Sequence, residues 1–594
     1  SRSKSPGRKE LSLARLPRYH GGAVVDPAKT NESSTVPRAG QQVRLFRKKK
    51  QIYAALVPIL TIALLAGSAH AASTAIPAQK LGWRNLWSST IVLVSIGALP
   101  LSYFGVTALA KSLLISASRC ALQVSLLGSV VLQKMMGVTK PGIVGAWILG
   151  VGLIASREAT SRIQYTYPDM KRNMYASVLT SGLMILGLTA SLSLFGHVKP
   201  WFDPRTWIPI AGMLFGNTLN ASALSASSIT KQFATDSDAV ELRLTRGASA
   251  REAIAPLVEE SYRIALMPTI NSLAATGIIH IPGMMSGQIL AGQSPQQAAL
   301  YQIVIIFLIS ATAILSVQLI INSTIRSIVD TRESRLRHGI LELKENAPTK
   351  SNSSSSESEG NQRPALVRKS ASPMKLNAVK YSRGQREAPV LEIKDLAVTR
   401  ANTVVDLVLH PGDRIAIAGK SGAGKSQILR TVIGLEESSG ENRLVSLFGN
   451  AVGPCDLPRF RSRVCLVPPN KPTLEGTPNQ FFHQILKWQS QGDREQTPNF
   501  TVLPSDIAKH WDLGAGAFDQ DWRTLSGGES QRAALAIALA LEPDVLLLDE
   551  SISFLDEKTS LLVEGTLRKS NIPILIVTHS EDQLKRFCTH KLDM

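Results

Sequence analysis

The chain has 594 residues, enough for several domains, and a mean hydropathy of +0.07. Lys and Arg outnumber Asp and Glu by 65 to 45, and half of this excess falls in the first fifty residues, where 13 basic residues face 3 acidic ones. No nucleic-acid recognition motif accompanies the positive charge, so we predict no nucleic-acid partner and attribute the charge to targeting and membrane orientation. The four cysteines are scattered, and no metal-binding or disulfide spacing is visible.

The N-terminal region reads as two segments that precede the folded domains. Residues 1–50 are poor in acidic residues and aperiodic, which predicts a disordered basic leader compatible with a transit peptide. Residues 51–86 form a signal-like or anchor segment, in which an apolar run (52–67) follows four basic residues and precedes the small-residue site Ala69-His70-Ala71. The sequence supports a cleaved signal and a retained membrane anchor equally.

Residues 87–335 alternate apolar runs with short polar links, which predicts an all-α polytopic membrane domain of about seven helices. Basic residues concentrate in every second link, so these links lie on one side if the N-terminus is outside and the C-terminus inside. A retained anchor would make eight spans without changing that side. The predicted spans are 88–110, 112–135, 141–156, 174–196, 207–228, 264–285 and 300–325.

Residues 336–387 are rich in Ser and of low complexity, which predicts a flexible linker. A soluble domain then follows over 388–594. The predicted organisation is therefore multidomain, with the membrane domain first and an α/β P-loop domain last.

A phosphate-binding loop stands near the start of the last domain, between the apolar run 414–418 and a predicted helix from Gln427. Its glycines let successive backbone N–H groups point at phosphate oxygens, and the helix start adds its positive end. Lys425 is placed for the β- and γ-phosphates and Ser426 for Mg²⁺. The loop consists of Gly419, Lys420, Ser421, Gly422, Ala423, Gly424, Lys425 and Ser426.

Three later stretches complete a constellation. The run 545–548 predicts a buried strand ending in Asp549, a Mg²⁺ ligand directly or through water, and Glu550, which would polarise the attacking water. The run 574–578 predicts another buried strand, and it ends in His579. The remaining stretch opens an Ala- and Leu-rich helix with Ser526, Gly527, Gly528 and Glu529.

In chain order, the four motifs resemble the ATPase domain of ABC transporters, with its Walker A loop, LSGG signature, Walker B strand and switch histidine. The resemblance implies ATP and Mg²⁺ as cofactors, Glu550 and His579 as catalytic residues, and nucleotide contacts from Ser526–Glu529. In that family the signature of one ATPase completes the nucleotide site of another. A homodimer, or a pair with a related half-transporter, is therefore implied.

The ATPase domain departs from the family pattern at three positions. Pro469 replaces the glutamine that watches Mg²⁺ and contacts the permease, with Asn470 as the nearest amide. Arg400 falls where an aromatic residue stacks on adenine, and a guanidinium could stack there instead. Ser551 replaces the proline after Walker B, whereas Asp556 is retained.

Three stretches of the membrane domain (208–217, 265–271 and 281–292) resemble the Fet-type permease family, which includes putative bacterial iron exporters and plant aluminium-tolerance permeases. The resemblance implies ATP-driven export of a metal ion such as iron, or of a metal-related solute. Two alternatives remain: transport of a nucleotide sugar such as UDP-glucose, and a non-transport ATP-driven membrane regulator. The ATPase is expected on the cytosolic or stromal side of a cellular or organelle membrane.

The sequence also contains candidates for coupling and for the transport pathway. Glu241 to Gly247 resembles the loop by which permeases dock onto their ATPase, although an ordinary amphipathic loop helix remains the alternative. Met284 and Met285 offer soft sulfur to a metal, but packing is the commoner role. Pro282, Gly283 and Gly287 predict a broken helix, which makes 282–288 the first candidate for a pathway element. Polar side chains in apolar surroundings are Asn217, Asn220, Asn271 and Gln288.

Overall fold

A computed structural model of the protein describes residues 83–344, 374–377 and 388–594, apart from short gaps at 104, 136, 139, 197–199, 399–400, 402, 439–443 and 496–501. The predicted leader, most of the signal-like segment, the Ser-rich part of the linker and Arg400 lie outside the described residues. The chain divides into two compact units after Gln133, and each is described by itself.

The described part of the first unit, from residue 83 onward, contains two helical segments separated by a turn. Gly105 has φ +81° in this turn, so the first predicted span, 88–110, ends instead at Tyr103. Both segments include a π-helical stretch. The first comprises Trp83–Val92, Leu93–Ala98 and Leu99–Tyr103; the second comprises Thr107–Leu126, Leu127–Val131 and Leu132–Met135 and runs just past the division.

The second unit begins with a bundle of helices that pack around Phe215. The side chain of Phe215 is fully buried, and glycines of two neighbouring helices give it room. A Cβ on Gly182 would lie 2.2 Å from the Phe215 ring, and one on Gly152 would lie 3.0 Å from it. The helices are α1 Pro141–Ser161, α2 Met170–Ser191, α3 Pro204–Thr235, α4 Ser237–Thr245, α5 Ala250–Ala275, α6 Gly283–Leu290 and α7 Pro295–Ile328.

In the part of the chain that the structure describes, four helices are long and apolar enough to cross a membrane: Thr107–Met135, Pro141–Ser161, Met170–Ser191 and Pro295–Ile328. Helices α3 and α5 have 32 and 26 residues, long enough to span ~30 Å of hydrocarbon at 1.5 Å per residue, but they are more polar. The predicted count of about seven helices is therefore not confirmed.

The predicted span 264–285 is wrong as a single helix. Helix α5 ends at Ala275, and the chain turns at Gly277, which has φ +92°. Helix α6 then begins at Gly283, after the extended residue Pro282. Gly283 and Gly287 both lie inside α6, so neither breaks a helix. The break lies between the two helices, at the turn around residue 277. Glycine allows this turn, because it adopts the left-handed conformation without strain.

The segment after α7 is ordered, in contrast to the start of the predicted linker at 336. Val329–Asp330 pairs with Arg335–Leu336, and Glu342–Leu343 pairs with Tyr165–Thr166 between α1 and α2. Within the predicted linker, residues 336, 342 and 343 therefore lie in short paired strands. Further along, Met374–Asn377 joins a sheet of the last domain.

The last domain is built on a five-stranded, all-parallel sheet. Three adjacent strands, one at an edge of the sheet and the next two, are buried along their whole length, as is usual when both faces of a parallel sheet are covered. The five strands, in spatial order across the sheet, are β5 Val464–Val467, β6 Val545–Asp549, β7 Ile574–Val577, β3 Arg414–Ala418 and β8 His590–Asp593. Because all five strands run in one direction, their carboxyl ends meet at one edge, where ligands bind in such sheets.

A second, mixed sheet and seven helices surround the parallel sheet. The mixed sheet contains β1 Leu391–Val398, β2 Thr403–Leu409, β4 Leu444–Leu447, Asn450–Ala451 and Met374–Asn377. The helices are α8 Lys425–Val432, α9 Leu457–Arg463, α10 Pro478–Leu486, α11 Pro504–Lys509, α12 Gly527–Ala540, α13 Glu557–Lys569 and α14 Glu581–Phe587, with 3-10 turns at Pro454–Asp456, Gln489–Glu495 and Ala515–Asp519.

Candidate nucleotide site and its link to the membrane helices

The loop between β3 and α8 has the backbone of a phosphate cradle. Gly422 and Gly424 have φ of +79° and +95°, in the left-handed region where L-residues are strained. A Cβ on Gly424 would also lie 2.6 Å from Cβ of Ala401. The Lys425 ammonium donates to the carbonyls of Gly419 and Lys420 at 3.0 Å each. The loop thus presents a helix N-terminus and a buried lysine at the carboxyl edge of the sheet, which is an arrangement that binds anions.

Ser426 and Asp549 meet at the same edge. The Ser426 hydroxyl donates to Oδ1 of Asp549 at 2.8 Å, and the Asp549 side chain is buried at the end of β6. Burial raises the pKa of the Asp549 carboxyl, against the opposing effect of the Ser426 hydrogen bond. A hydroxyl and a carboxylate are hard oxygen donors, so this pair fits Mg²⁺.

Glu550 and His579 are the next pair along this edge. Nε2 of His579 lies 3.2 Å from Oε1 of Glu550, and the Glu550 N–H donates to the Val577 carbonyl at 3.0 Å. Glu550 has φ +49°, which costs a residue with a side chain about 1 kcal/mol. The fold therefore holds this carboxylate in a strained position next to an imidazole, where it can accept a proton from water.

The signature residues lie apart from these groups. Ser526 caps α12 by accepting from the Glu529 N–H at 3.3 Å, and Glu529 accepts from the Ser526 N–H at 2.8 Å. These two hydrogen bonds form a capping box, and Ser526 and Gly527 are exposed. None of the four signature residues lines the cavity that contains Ser426 and Asp549. The structure thus unites the predicted catalytic and metal residues with the phosphate loop, but not with the signature of the same chain.

A cavity of about 220 Å³ connects the Ser426–Asp549 pair to helix α4 of the membrane domain. Pro469 lines this cavity, as its position after β5 predicts, and so does Asn470. An amide is therefore present in the cavity even though proline occupies the usual glutamine position. Other lining residues include Asp238, Glu241, Thr245 and Arg430.

Glu241 on α4 forms an ion pair with the phosphate-loop helix α8. Its Oε1 atom lies 2.8 Å from Nη2 of Arg430 and 2.6 Å from Nε2 of His338. Burial by itself would raise the pKa of Glu241, but hydrogen bonds from His338 and Arg430 lower it to about 2. The helix that begins with Lys425 is thus tied directly to the membrane domain.

The two residues at the end of the docking loop are packed into the ATPase domain. Arg246 is fully buried and donates to the Leu466 carbonyl at 3.0 Å, to the Ala534 carbonyl at 3.3 Å, and to the Cys465 sulfur. Gly247 has φ +93°, and a Cβ there would lie 2.8 Å from the Pro458 carbonyl oxygen. The loop therefore contacts both β5 and the signature helix α12.

Three residues that contribute to these contacts, Arg430, His338 and Arg461, were not predicted from the sequence. Arg461 is fully buried and donates to the Ile433, Gly434 and Glu333 carbonyls at 2.8, 2.9 and 3.2 Å, and also to the Ser334 carbonyl. For Arg430, the one signal was a charged residue inside an apolar helix. His338 and Arg461 had no sequence signal, because their partners are far away in the chain, whereas Arg246 lies within the stretch 241–247 that resembles a docking loop.

Of the predicted pathway residues, Asn217 and Asn220 line a cavity of about 190 Å³ between α3, α5 and α7. Thr269, Ser272 and Ser310 add hydroxyls to it. Asn271, Met284, Met285 and Gln288 are not among its lining residues. Met284 packs against the core of the bundle, as the packing interpretation predicts.

These features define a class: an ABC ATPase joined in one chain to the helical membrane domain that it drives. The chain belongs to two families. Its membrane domain matches the model of the "Uncharacterised protein family (UPF0014)" over residues 83–329. Its last domain matches the model of the "ABC transporter" family over residues 403–553.

Relatives of each half share about a third of their aligned residues with this chain. The "Probable iron export permease protein FetB" of Escherichia coli is 30% identical over 90% of its length and 41% of this chain. The protein "ALUMINUM SENSITIVE 3" of Arabidopsis thaliana is 32% identical over 80% of its length and 38% of this chain. The "Aliphatic sulfonates import ATP-binding protein SsuB" of Corynebacterium glutamicum is 33% identical over 71% of its length and 32% of this chain.

The predicted half-transporter architecture is thereby confirmed. The protein is a membrane protein that binds ATP and hydrolyses it to drive transport.

Proposed function

We propose that the protein exports a metal ion such as iron, or a metal-related solute, as a homodimer powered by ATP. The observation that carries this proposal is the cavity of about 190 Å³, lined in part by amides and hydroxyls, inside a membrane domain that is similar to FetB. Polar groups at membrane depth are costly and mark substrate pathways. Amide and hydroxyl groups suit a cargo that must be released again, because they bind it without a fixed charge.

The nucleotide chemistry follows from the residues at the sheet edge. Lys425 and the loop N–H groups bind the β- and γ-phosphates. Ser426 and Asp549 would hold Mg²⁺, which would neutralise charge on the phosphates. Glu550 accepts the proton of the attacking water, and His579 holds the Glu550 carboxylate in place through the 3.2 Å contact.

The homodimer is supported by the exposed signature of the chain. Ser526 and Gly527 face solvent and lie outside the cavity that contains Ser426 and Asp549, so a second copy supplies them to that site. Phe554, two residues before Asp556, is 64% exposed and offers an apolar contact for the partner. A related half-transporter could supply the same surface.

The ATPase side of the membrane is the cytosol or the stroma, where ATP is available. The segment 157–172, from the end of α1 to the start of α2, carries four basic and two acidic residues and pairs through Tyr165–Thr166 with the segment that leads to the ATPase domain. The docking loop also lies on that side, because it contacts the ATPase domain. Both observations agree with the positive-inside distribution of charge.

ATP-dependent flux in proteoliposomes tests the proposal. The purified protein, reconstituted with its ATPase outside, should accumulate iron in the lumen when ATP is added, whereas the Glu550→Gln variant should not. Other divalent and trivalent metals and UDP-glucose serve as competing cargoes in parallel vesicles. Flux of UDP-glucose without flux of any metal would show that the cargo is a nucleotide sugar and not a metal. ATP hydrolysis that changes when a metal or UDP-glucose is added, without flux of either, would indicate a regulator.

A further inference from the structure

Two cavities follow one another along the groove between α3 and α5. The inner cavity is the one of about 190 Å³ that contains Asn217 and Asn220. The mouth cavity, of about 440 Å³, lies between the ends of α3 and α5 and the ATPase domain. Leu224 lines both cavities, so they meet at this side chain.

One face of α3 lines both cavities. Residues three or four positions apart lie on the same helix face, and those of α3 that line the cavities have this spacing. They run from amides in the inner cavity to an exposed ammonium in the mouth cavity: Asn217, Asn220, Ala221, Leu224, Ser227, Ser228, Lys231, Gln232 and Thr235. A cargo entering from the ATPase side therefore meets the mouth cavity first.

Arg243 is the distinctive group of the mouth cavity. Its side chain is 7% exposed, and no carboxylate lies within 4 Å of it among the described residues. One Nη atom donates to the Ala253 carbonyl at 3.3 Å, and its Nε atom has no hydrogen-bond partner in the described structure. Burial lowers the pKa of Arg243, against the effect of Asp236 and Glu475, but a guanidinium stays charged at neutral pH.

The acids of the mouth cavity act on this guanidinium only from a distance, and none of them forms an ion pair with it. Glu475 is paired with Arg523 at 2.9 Å. Glu260 lies 3.8 Å from Arg263, and Arg263 does not line the cavity. Asp236 is the remaining acid among the lining residues, against Lys231 and Arg243. Arg162, which does not line the inner cavity, donates to Asn220 at 3.0 Å and also pairs with Glu158 at 3.5 Å.

A buried cation that no carboxylate contacts directly is costly, and a bound anion that pairs with it offsets this cost. Guanidinium groups bind carboxylate and phosphate oxygens with two parallel hydrogen bonds. Building on the proposed export of metal, we propose that the groove takes its metal as an anionic, oxygen-rich chelate, which Arg243 and Lys231 bind at the ATPase-side mouth. The metal then travels inside its chelator, and the amides and hydroxyls of the inner cavity contact the chelator.

The test compares two forms of one metal in proteoliposomes of neutral lipid. The full-length protein receives either iron(III) citrate, as an anionic chelate, or aqueous iron(II) kept reduced under argon. ATP-dependent uptake should favour the citrate complex. Arg243→Gln and Lys231→Gln should each raise the KM for the complex about tenfold, because each removes a charge-assisted hydrogen bond, while the Kd for ATP stays unchanged.

Two further variants separate charge from folding. Arg243→Lys keeps the charge and should retain most of the uptake. Arg251→Gln removes an exposed arginine that does not line the cavity and should leave the KM unaltered. Lys231 is exposed, so its loss tests the cavity without disturbing buried packing.

The remaining outcomes overturn the inference in distinguishable ways. Uptake of aqueous iron(II) that is equal in the parent and in Arg243→Gln would leave metal export standing and refute the anionic cargo. Uptake that needs anionic lipid in the parent but not in Arg243→Gln would assign the mouth cavity to a lipid phosphate. ATP-driven uptake of neither form of iron would refute the proposed function itself.

Discussion

The Glu241 carboxylate of the membrane domain lies 2.8 Å from the Arg430 guanidinium of α8, the helix that begins with Lys425 of the phosphate loop. Movement of the loop on binding ATP would therefore reach the membrane helices through one rigid helix and one ion pair. Pro469 lines the cavity next to this pair, at the position where the family has a glutamine that contacts the permease. The ion pair therefore connects the two domains independently of that position.

Replacing Glu241 should change how stability depends on pH. The folded-state pKa is about 2, below the ordinary 4.5, so the carboxylate stabilises the docked state by roughly 3 kcal/mol above pH 4.5 and loses this contribution as the pH falls towards 2. Glu241→Gln should lower the Tm at pH 7 and flatten the fall in Tm between pH 5 and 3. The exposed Glu259→Gln is the control, and identical acid profiles for parent and Glu241→Gln would refute the role of this pair.

Two variants should separate ATP binding from hydrolysis. Lys425→Ala should abolish tight ATP binding, because the β- and γ-phosphates lose their cation. Glu550→Gln should preserve binding, trap a dimer and slow hydrolysis by at least about 100-fold, because water activation is lost. Nucleotide binding, size-exclusion chromatography and phosphate release measure these effects, with Glu557→Gln as the control. Hydrolysis by Glu550→Gln at the parent rate would remove Glu550 as the base.

A side chain at Gly247 should uncouple the two domains. Gly247→Asp imposes a left-handed backbone on a residue with a Cβ, and that Cβ would clash with Pro458 and Ser462. ATP binding should persist, while transport in proteoliposomes should fall at least about fivefold, the loss expected from strain of about 1 kcal/mol or more. Gly565→Ala, on an exposed and open helix position, should have no effect. Parent-level flux in Gly247→Asp would exclude the loop from coupling.

Restoring the amide at position 469 should accelerate basal hydrolysis. Proline has no N–H and no side-chain amide, so it cannot bind the metal or its water. Pro469→Gln should raise the basal ATPase rate and leave the Kd for ATP nearly unchanged, because Lys425 and the loop amides carry binding. Pro454→Gln, at an exposed turn, is the control. An unchanged rate would mean that Asn470, which lines the same cavity, already performs this role.

Cysteine labelling should place the two ends of the bundle on opposite sides of the membrane. A background without Cys120, Cys455, Cys465 and Cys588 would receive a single cysteine at Arg205 or at Arg172, both exposed. An impermeant maleimide should reach position 172 from the ATPase side and position 205 from the other side. Labelling of both from one side would refute the proposed topology.

The nucleotide site could be predicted from the sequence because its parts are local. Each motif follows a short apolar strand, and parallel strands bring their carboxyl ends to one edge. Lys425, Ser426, Asp549, Glu550 and His579 are therefore close in space although they are far apart in the chain. The same reasoning failed for 264–285, where apolar composition suggested one helix but the turn at Gly277 divides it.

The contacts between the domains could not be predicted, because they depend on how folded elements pack. Glu241 and Arg430 are 189 residues apart, and Arg430 and His338 are 92 apart, with no shared motif. The sequence by itself determined which residues can bind and hydrolyse ATP, because local backbone preference and strand order place them. Tertiary structure decided which membrane residues contact that site and which polar residues share a cavity, because burial leaves a charged group only the partners that the surrounding helices bring within reach.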